Sequence, residues 1–283
     1  MFKSTPAEPY GRNVKKGAET AAQEFGVNLS IISPNKPQTT EFVEDQIMLM
    51  ANLIQTGEID GVIIGPTDSI KLVAVVEKAT RAGVPVITMD TPLNTEQILT
   101  FVGFDNFTAG KSMGKCVVKK LGGKGKVVIL DGAPDRDNTI ARRNGFIAGL
   151  NTGKIKILAT ASAKWNQAEA KNISAKWLKI FDEVDGIIAL NDSMALEAGQ
   201  AVKDAKYQEI IITGFDGLES GIQGIKKGEI TATINQAPEK QARLAIQLMI
   251  RHLENRESYP NIVLLEDIKM IILENIENYY LSP

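Results

Sequence analysis

The chain has 283 residues, a formal net charge of −2 and the mixed apolar and charged composition of an ordinary globular protein. This charge gives no sign of the excess of basic residues with which proteins bind nucleic acid, and no apolar run approaches the roughly 18 residues that span a bilayer. One cysteine, Cys116, and one histidine, His252, exclude an intrachain disulfide and a Cys/His zinc site, so we expect no metal and no cofactor. The length predicts two domains of ordinary size.

The first residues, 1–5, predict the end of a strand with almost nothing before it, and no signal peptide is visible. A parallel sheet rarely opens on so short a strand. We therefore expect that an export signal and part of the first strand have been removed or left out. The missing signal is accordingly no evidence for a cytoplasmic protein.

Short β-rich runs alternate with amphipathic stretches along the chain. Apolar residues at helical spacing, such as Val14, Ala18, Ala21 and Phe25, predict the helices between the runs. Nearly continuous apolar strands that alternate with helices are typical of parallel sheets covered on both faces, the doubly wound α/β class. The tail 268–280 predicts one more strand and a short helix. The other predicted strands are 27–32, 61–64, 84–89, 126–130, 155–158, 186–190 and 210–213.

Two parts of the chain resemble each other. Residues 59–69 are similar to residues 184–193, and each segment is followed by a helix and by another strand. The offset of about 125 residues is too long for a solenoid repeat and indicates two duplicated lobes. No Gly/Ser-rich or Pro-rich linker separates the halves, which favours close lobes joined by short crossings.

Matching strands of the two halves end in aspartates, Asp90 and Asp216. Ligands of open parallel sheets bind beyond the carboxyl ends of the strands, so facing lobes would bring both carboxylates to one ligand. A carboxylate accepts hydrogen bonds from two hydroxyls, and charge-assisted bonds are about twice as strong as neutral ones. Either residue alone could be an N-cap or a turn aspartate. Their equivalent positions favour a pair that binds a polyhydroxylated molecule.

Sequence motifs of catalysis are weak or missing. A carboxylate pair also fits a glycosidase, which needs an acid and a base around a scissile bond, but no other feature supports one. The glycine-rich run 121–126 lies before a strand rather than between a strand and a helix, the wrong place for a dinucleotide phosphate loop. Neither a Walker A motif nor a Gly-x-Ser-x-Gly elbow occurs in the sequence. We therefore expect no catalytic residue and no enzyme.

Five segments, taken together and in order, carry a resemblance to a known family: 83–90, 104–106, 191–196, 214–217 and 232–238. With them the chain resembles the periplasmic sugar-binding proteins of the ribose, galactose and allose type over essentially its full length. These proteins have the type I periplasmic binding protein fold. The resemblance therefore implies an α/β fold of two Rossmann-like lobes, each a parallel sheet flanked by helices.

The same resemblance implies how the lobes are connected. Three hinge crossings are expected near Asp105, Gln236 and Asp267. The N-terminal lobe would consist of residues 1–105 and 237–267, and the C-terminal lobe of residues 106–236 and 268–283.

Ligand-binding roles follow from the resemblance for five residues. Asp90 and Asp216 fall on aspartates that bind sugar hydroxyls. Asn191 falls on a sugar-binding asparagine, with a plain N-cap as the alternative. Gln236 falls on a hinge-side glutamine that contacts sugar, with an exposed polar residue as the alternative. Trp165 falls on an aromatic that stacks on the sugar ring, because the apolar C–H face of a sugar packs against a flat ring.

A second aromatic is expected in the first lobe. Tyr10 falls on the family's ring opposite Trp165, with a simple cover over the helix start as the alternative. Trp177 has the apolar spacing of a helix interior and is more typical of the core.

Other positions depart from the ribose-type pattern. Glu8 stands where ribose binders carry an asparagine, Gly11 replaces the second of two adjacent aromatics, and Ile140 stands at a ribose-type arginine. Arg142 and Lys3 match the allose-like version better. These differences favour a pyranose or a related polyol over ribose.

A loop in the second half adds Arg136 and Asn138, which are expected to reach the ligand. Arg142 and Arg143 have a solvated helix face as their alternative. The candidate ligand contacts are therefore Lys3, Glu8, Tyr10, Asp90, Arg136, Asn138, Arg142, Trp165, Asn191, Asp216 and Gln236.

The expected function is capture of one monosaccharide or related polyol between two closing lobes and delivery to the membrane permease of an ABC importer. Such a protein would be a monomer outside the cytoplasm, in the periplasm or as a cell-surface lipoprotein. Three alternatives stay open. The first is the effector domain of a lactose-repressor-type transcription factor, which would be a dimer preceded by a helix-turn-helix. The others are a ligand-presenting receptor of chemotaxis or quorum sensing, and an enzyme.

Overall fold

The computed structural model describes residues 8–32, 41–207, 209–266 and 268–277. Its helices are α1 (Pro9–Phe25), α2 (Glu41–Thr56), α3 (Val73–Arg81), α4 (Asn106–Lys120), α5 (Asp137–Leu150), α6 (Gln167–Ile180), α7 (Asp192–Asp204), α8 (Glu219–Lys226) and α9 (Pro238–Asn255). Its strands are β1 (Val62–Ile64), β2 (Val86–Met89), β3 (Thr100–Gly103), β4 (Lys124–Asp131), β5 (Lys154–Ser162), β6 (Gly186–Ala189), β7 (Ile211–Thr213), β8 (Ala232–Asn235), β9 (Ile262–Leu264) and β10 (Lys269–Ile272).

The chain divides into two compact units, and each unit consists of three separate segments of the chain. Unit 1 consists of Met1–Phe104, Asp135–Asn138 and Ala237–Glu266, and unit 2 of Asp105–Pro134, Thr139–Gln236 and Asp267–Pro283. None of the helices within the described residues combines the length and the apolar character that crossing a bilayer requires.

The sheet of unit 1 has the strand order β1-β2-β3-β9, and all three of these pairings are parallel. Successive side chains of a strand point to opposite faces. Ile87 and Met89 accordingly pack with apolar residues of α1 and α9, whereas Val86 packs with those of α2 and α3. The sheet is therefore buried on both faces, which explains its continuous apolar strands.

Helix α1 has sequence signals at both ends. Pro9 occupies its first turn, where the missing N–H costs no hydrogen bond, and Gly26 ends it with a φ of 68°. At Gly17, a Cβ would lie 2.5 Å from the Cα of Glu239 at the start of α9. The absence of a side chain at Gly17 therefore permits the close packing of the two helices.

Unit 2 has the strand order β10-β8-β7-β6-β4-β5. Strands β4 to β8 pair in parallel, and β10 pairs with β8 antiparallel. The sequence predicted parallel sheets, and this single antiparallel strand is an addition at the edge. Such an edge strand is common on otherwise parallel sheets.

Glycines on both sides of the α4–α5 crossing let the two backbones touch. These residues are Gly110 and Gly114 on α4, and Gly145 and Gly149 on α5. A Cβ on any of the four would lie less than 3.0 Å from a carbonyl oxygen of the other helix, a separation that real Cβ atoms essentially never show. Each helix thus presents two glycines, four residues apart, to the backbone of its partner.

The predicted alternation of strands and helices is confirmed from residue 41 onward. One prediction was wrong: residues 27–32 lie outside the assigned strands, although their apolar residues have high β propensity. Trp177 is buried in α6, as predicted for a core residue. The predicted first strand, the hinge residue Asp267 and the last residues of the tail lie outside the described residues.

Candidate functional site

Unit 2 carries four of the predicted site residues just beyond the carboxyl ends of its parallel strands. Trp165 follows β5, Asn191 follows β6, Asp216 follows β7 and Gln236 follows β8. Strand β4 lies between β5 and β6, so the direction of strand addition reverses there. Open α/β sheets bind ligands at such switch points, outside the carboxyl ends of their strands.

Asp216 is the buried acid of this group. Its Oδ1 accepts a hydrogen bond from Gln236 Nε2 and lies 3.8 Å from Arg142 Nη1. The side chains of Arg142 and Asp216 are only 2% and 7% exposed. A buried charge of either sign is tolerated only with such a partner, so each of the two depends on the other.

Arg142 is fixed by further contacts on three sides. Its Nε donates to Asn106 Oδ1 at 3.0 Å, and its Nη1 donates to the carbonyl oxygen of Leu190 at 2.6 Å. The guanidinium carbon lies 3.8 Å from the ring centroid of Phe215 and 5.8 Å from that of Trp165. The solvated helix face, the alternative for Arg142, is therefore wrong.

Its neighbour Arg143 pairs with Asp131 at the end of β4 and is half-buried, so the alternative of a solvated helix face is wrong for Arg143 too.

Trp165 lies in a strained turn above the sheet. Lys164 and Trp165 have φ values of 51° and 65°, which residues other than glycine seldom adopt. A Cβ on Gly132 would lie less than 3.0 Å from the indole ring of Trp165, so only glycine leaves room for the ring.

The predicted residues of unit 1 form a second group around Asp90. The hydroxyl of Tyr10 donates to Asp90 Oδ1 at 2.8 Å, and Asn138 Nδ2 donates to the carbonyl oxygen of Asp90 at 3.4 Å. Glu8 is half-buried at the N-cap position of α1, without a side-chain cap bond. Tyr10 is thus more than a cover over the helix start, because it hydrogen-bonds the acid.

Arg136 supplies a buried positive charge to the group around Asp90. It is 5% exposed, and its Nε donates to the carbonyl oxygen of Thr67 at 3.0 Å. Burial lowers the pKa of Arg136. Four nearby carboxylates counteract this effect: Asp135, Asp90, Glu8 and Asp68. The guanidinium is therefore held among acids, as is expected for a buried cation.

Both central aspartates have a strained backbone. Asp90 has a φ of 66° and Asp216 a φ of 115°, in a region that favours glycine. Such conformations persist only where the surroundings enforce them, and they concentrate at ligand sites. The two halves of the chain thus share this feature at equivalent positions.

Asn191 is the N-cap of α7, because its Oδ1 accepts from the N–H of Met194 at 2.9 Å. Lys3 lies outside the described residues. Sequence reasoning missed Asn106 and Phe215, although both fall inside segments that carry the family resemblance. Among the described residues, no group of three or more His, Cys, Asp or Glu side chains is arranged to hold a metal ion.

Sequence reasoning also missed Asp192, a fully buried acid whose pKa is strongly raised by burial. Burial raises the pKa of Asp192 to about 7, against hydrogen bonds from Thr233 and Leu218 that favour the ionised form. An unfolded aspartate has a pKa of about 4, so the folded protein holds this proton more tightly. The free energy of unfolding therefore falls as pH rises from about 4 to about 7.

This linkage gives a testable pH dependence. Asp192→Asn cannot ionise and is expected to lack the loss of stability, so its Tm relative to wild type is expected to rise between about pH 5 and about pH 8. Scanning calorimetry of both proteins across this range measures the difference. A Tm difference that stays constant with pH would contradict the assignment.

Three comparisons place the chain among known proteins. The model of the periplasmic binding protein domain family matches residues 1–257. A ribose import binding protein of Haemophilus influenzae is 31% identical over 245 residues, covering 86% of this chain and 81% of the relative. A xylitol-binding protein of Mycolicibacterium smegmatis is 32% identical over 236 residues, covering 82% and 66%.

A solved structure agrees. The ABC transporter periplasmic solute-binding protein of Actinobacillus succinogenes, with bound D-allose, superposes with a TM-score of 0.90 at 30% identity and covers 98% of both chains. The family predicted from the five sequence segments is confirmed. The chain belongs to the periplasmic binding protein family.

Proposed function

We propose that the chain binds one monosaccharide or related polyol and delivers it to an ABC importer. The observation that carries this proposal is the Asp216 group, in which a buried carboxylate lies beside the guanidinium of Arg142 and the amide of Gln236. A sugar hydroxyl both donates and accepts, and this group offers an acceptor and several donors within a few ångströms. Trp165 adds a flat ring for the C–H face of a sugar.

Unit 1 carries a second group of the same chemical kind, around Asp90. Tyr10, Asp90 and Arg136 again combine an acid with donors. The proposed ligand contacts are the eleven predicted residues, and the two units are proposed to be the hinged lobes predicted from the sequence. The relatives named for ribose and xylitol, and the one with bound D-allose, support a neutral polyhydroxylated ligand.

The further parts of the proposal concern where and how the protein works. We infer that it acts outside the cytoplasm as a monomer, presents its ligand to a membrane permease and leaves the sugar chemically unchanged. The solute-binding role of its relatives supports this reading. A sugar that binds one conformation of the protein more tightly than another would shift the population toward that conformation.

Calorimetric titration against D-ribose, D-allose, xylitol and myo-inositol tests the proposal. At least one of these is expected to bind with a stoichiometry of one and to raise the Tm, because a ligand that binds only the folded state stabilises it. Chromatography of the released sugar is expected to show it unaltered. No binding and no rise in Tm with any of the four would contradict the proposal.

Asp90→Ala is expected to weaken this binding at least about tenfold, because the ligand and Tyr10 lose a buried charged acceptor. Titration of the variant with the same sugar measures the loss. Asp60→Ala is the matched control in unit 1, since Asp60 is exposed just before β1. Equal affinities of Asp90→Ala and wild type would remove Asp90 from the site.

A further inference from the structure

Asp192 is a fully buried carboxylate at the first turn of α7, and its contacts converge on the loop that carries Asp216. Its Oδ2 accepts from the N–H of Leu218 at 2.8 Å, and its own N–H donates to the carbonyl oxygen of Phe215 at 2.6 Å. These two bonds hold the chain immediately before Asp216 and two residues after it. Asp192 therefore holds the backbone on both sides of Asp216.

The third contact of Asp192 ties this loop to the sheet. Its Oδ1 accepts from the hydroxyl of Thr233 in β8 at 2.6 Å. Asp216 itself donates its N–H to the carbonyl oxygen of Ile234 in the same strand at 2.9 Å. The loop is thus fixed to β8 directly and through the carboxylate of Asp192.

The backbone between these anchors is strained. Asp216 has a φ of 115° and Gly217 one of 66°. A residue other than glycine keeps a positive φ only where its surroundings enforce it. The bonds from Asp192 to Phe215 and Leu218 are the part of those surroundings that lies on α7.

Two glycines leave space for the carboxylate of Asp192. A Cβ on Gly214 or on Gly221 would lie less than 3.0 Å from one of its oxygens. In unit 1 the related acid Asp68 behaves differently, because its Oδ1 accepts from the N–H groups of Ile70 and Lys71 next to it in the chain. Asp192 instead reaches across to a different strand and loop.

We propose that Asp192 is a positioning residue for sugar binding, which holds the loop 215–218 so that the carboxylate of Asp216 meets the ligand. Asp192 does not touch the sugar itself. The inference rests on the proposed function, because it deepens the role given there to Asp216. It predicts that the loop geometry and the sugar affinity change together when Asp192 loses its acceptor oxygens.

The test compares wild type, Asp192→Ala and Asp192→Asn by titration with D-ribose, D-allose, xylitol and myo-inositol at a temperature where all three proteins are folded. Asp192→Ala is expected to lower the affinity about tenfold or more, since misplacing a binding group by about 1 Å has effects of this size. Asp192→Asn is expected to restore it, because its Oδ1 accepts from Leu218 and its Nδ2 donates to Thr233.

Hydrogen exchange at the amides of Gly217 and Leu218 gives a readout that needs no sugar. Faster exchange in Asp192→Ala and near-wild-type exchange in Asp192→Asn are expected. Asp185→Ala is the matched control. Asp185 lies just before β6, whereas Asp192 lies beyond the other end of that strand, and the Oδ2 of Asp185 accepts from the N–H of Lys126 in β4. This variant is expected to leave affinity and loop exchange unchanged.

The outcomes separate the two proposals. Wild type that binds none of the sugars contradicts the proposed function, and hydrogen exchange then still decides whether Asp192 holds the loop. A folded Asp192→Ala with wild-type affinity and wild-type exchange overturns the positioning role. Should Asp192→Ala fail to fold, Thr233→Val takes its place; it removes the hydroxyl that donates to Asp192 Oδ1 and accepts from the N–H of Gly217. Because the N–H of Leu218 donates to Asp192 and not to Thr233, Thr233→Val is expected to lower the sugar affinity with the Leu218 amide exchanging faster, and unchanged values overturn the inference.

Discussion

Asp216→Ala is expected to weaken sugar binding by about 30-fold or more. Truncating one partner of a buried, hydrogen-bonded charge pair costs about 2–5 kcal/mol, and each 1.4 kcal/mol is tenfold in affinity. The ligand loses its acceptor in unit 2, and Arg142 loses the carboxylate that lies 3.8 Å from its Nη1. Calorimetric titration with the sugar that wild type binds measures the effect.

The variant is also expected to have a lower Tm, because the charge of Arg142 stays buried without its acid. The titration therefore belongs well below the unfolding transition. Asp204→Ala is the matched control in the same unit, since Asp204 forms a solvent-exposed pair with Lys171 at 2.9 Å, and exposed ion pairs contribute little to stability. Wild-type binding heats for Asp216→Ala would remove Asp216 from the proposed site.

Gly145→Ala is expected to lower the free energy of unfolding by about 1–3 kcal/mol, the usual cost of overpacking. The added Cβ would lie less than 3.0 Å from the carbonyl oxygen of Phe107 on α4, and a backbone atom has no alternative rotamer to adopt. Helices α4 and α5 must therefore separate, although alanine has the higher helix propensity. Urea denaturation followed by circular dichroism measures the change.

Asn144→Ala is the control for this prediction, because Asn144 is exposed on the same helix. It is expected to change stability by no more than about 0.5 kcal/mol. Equal stabilities of Gly145→Ala and wild type would mean that the crossing tolerates a wider separation at no cost.

The strands that the sequence predicts best are those with long β-branched runs. Strand β4 and the two similar strands β1 and β6 are recognisable because Val, Ile and other apolar residues follow one another in them without interruption. Strands β3 and β9 were not predicted, although they are no shorter than β1 and β7. Among the described residues, no helix is assigned between β2 and β3 or between β9 and β10, so β3 and β9 fall outside the alternation of strands and helices on which the prediction rests. The antiparallel direction of β10 was also beyond the sequence, because residue pattern alone does not determine strand direction.

The site could be predicted in part. Asp90 and Asp216 were identifiable because duplication places them at equivalent strand ends. The pairing of Arg142 with Asp216 was not, since Arg142 and Arg143 are adjacent and similar in sequence. On a helix, neighbours point about 100° apart, so Arg142 enters the core and Arg143 meets Asp131.

Asp192 escaped prediction for another reason. It follows the N-cap Asn191, and an acid in the first turn of a helix is ordinary. Only the tertiary structure reveals that its oxygens accept from Leu218 and Thr233 on other elements. A residue that acts through a neighbour leaves no local signal in a single sequence.

The indole of Trp165 is supported from beneath by Gly132, a position with no side chain of its own. The distance between the ring and the sheet therefore depends on the size of the residue at position 132. A larger residue at position 132 would displace the indole ring away from the sheet. If Trp165 stacks on the sugar as proposed, the residue at position 132 would set the space left for the ligand without contacting the ligand itself.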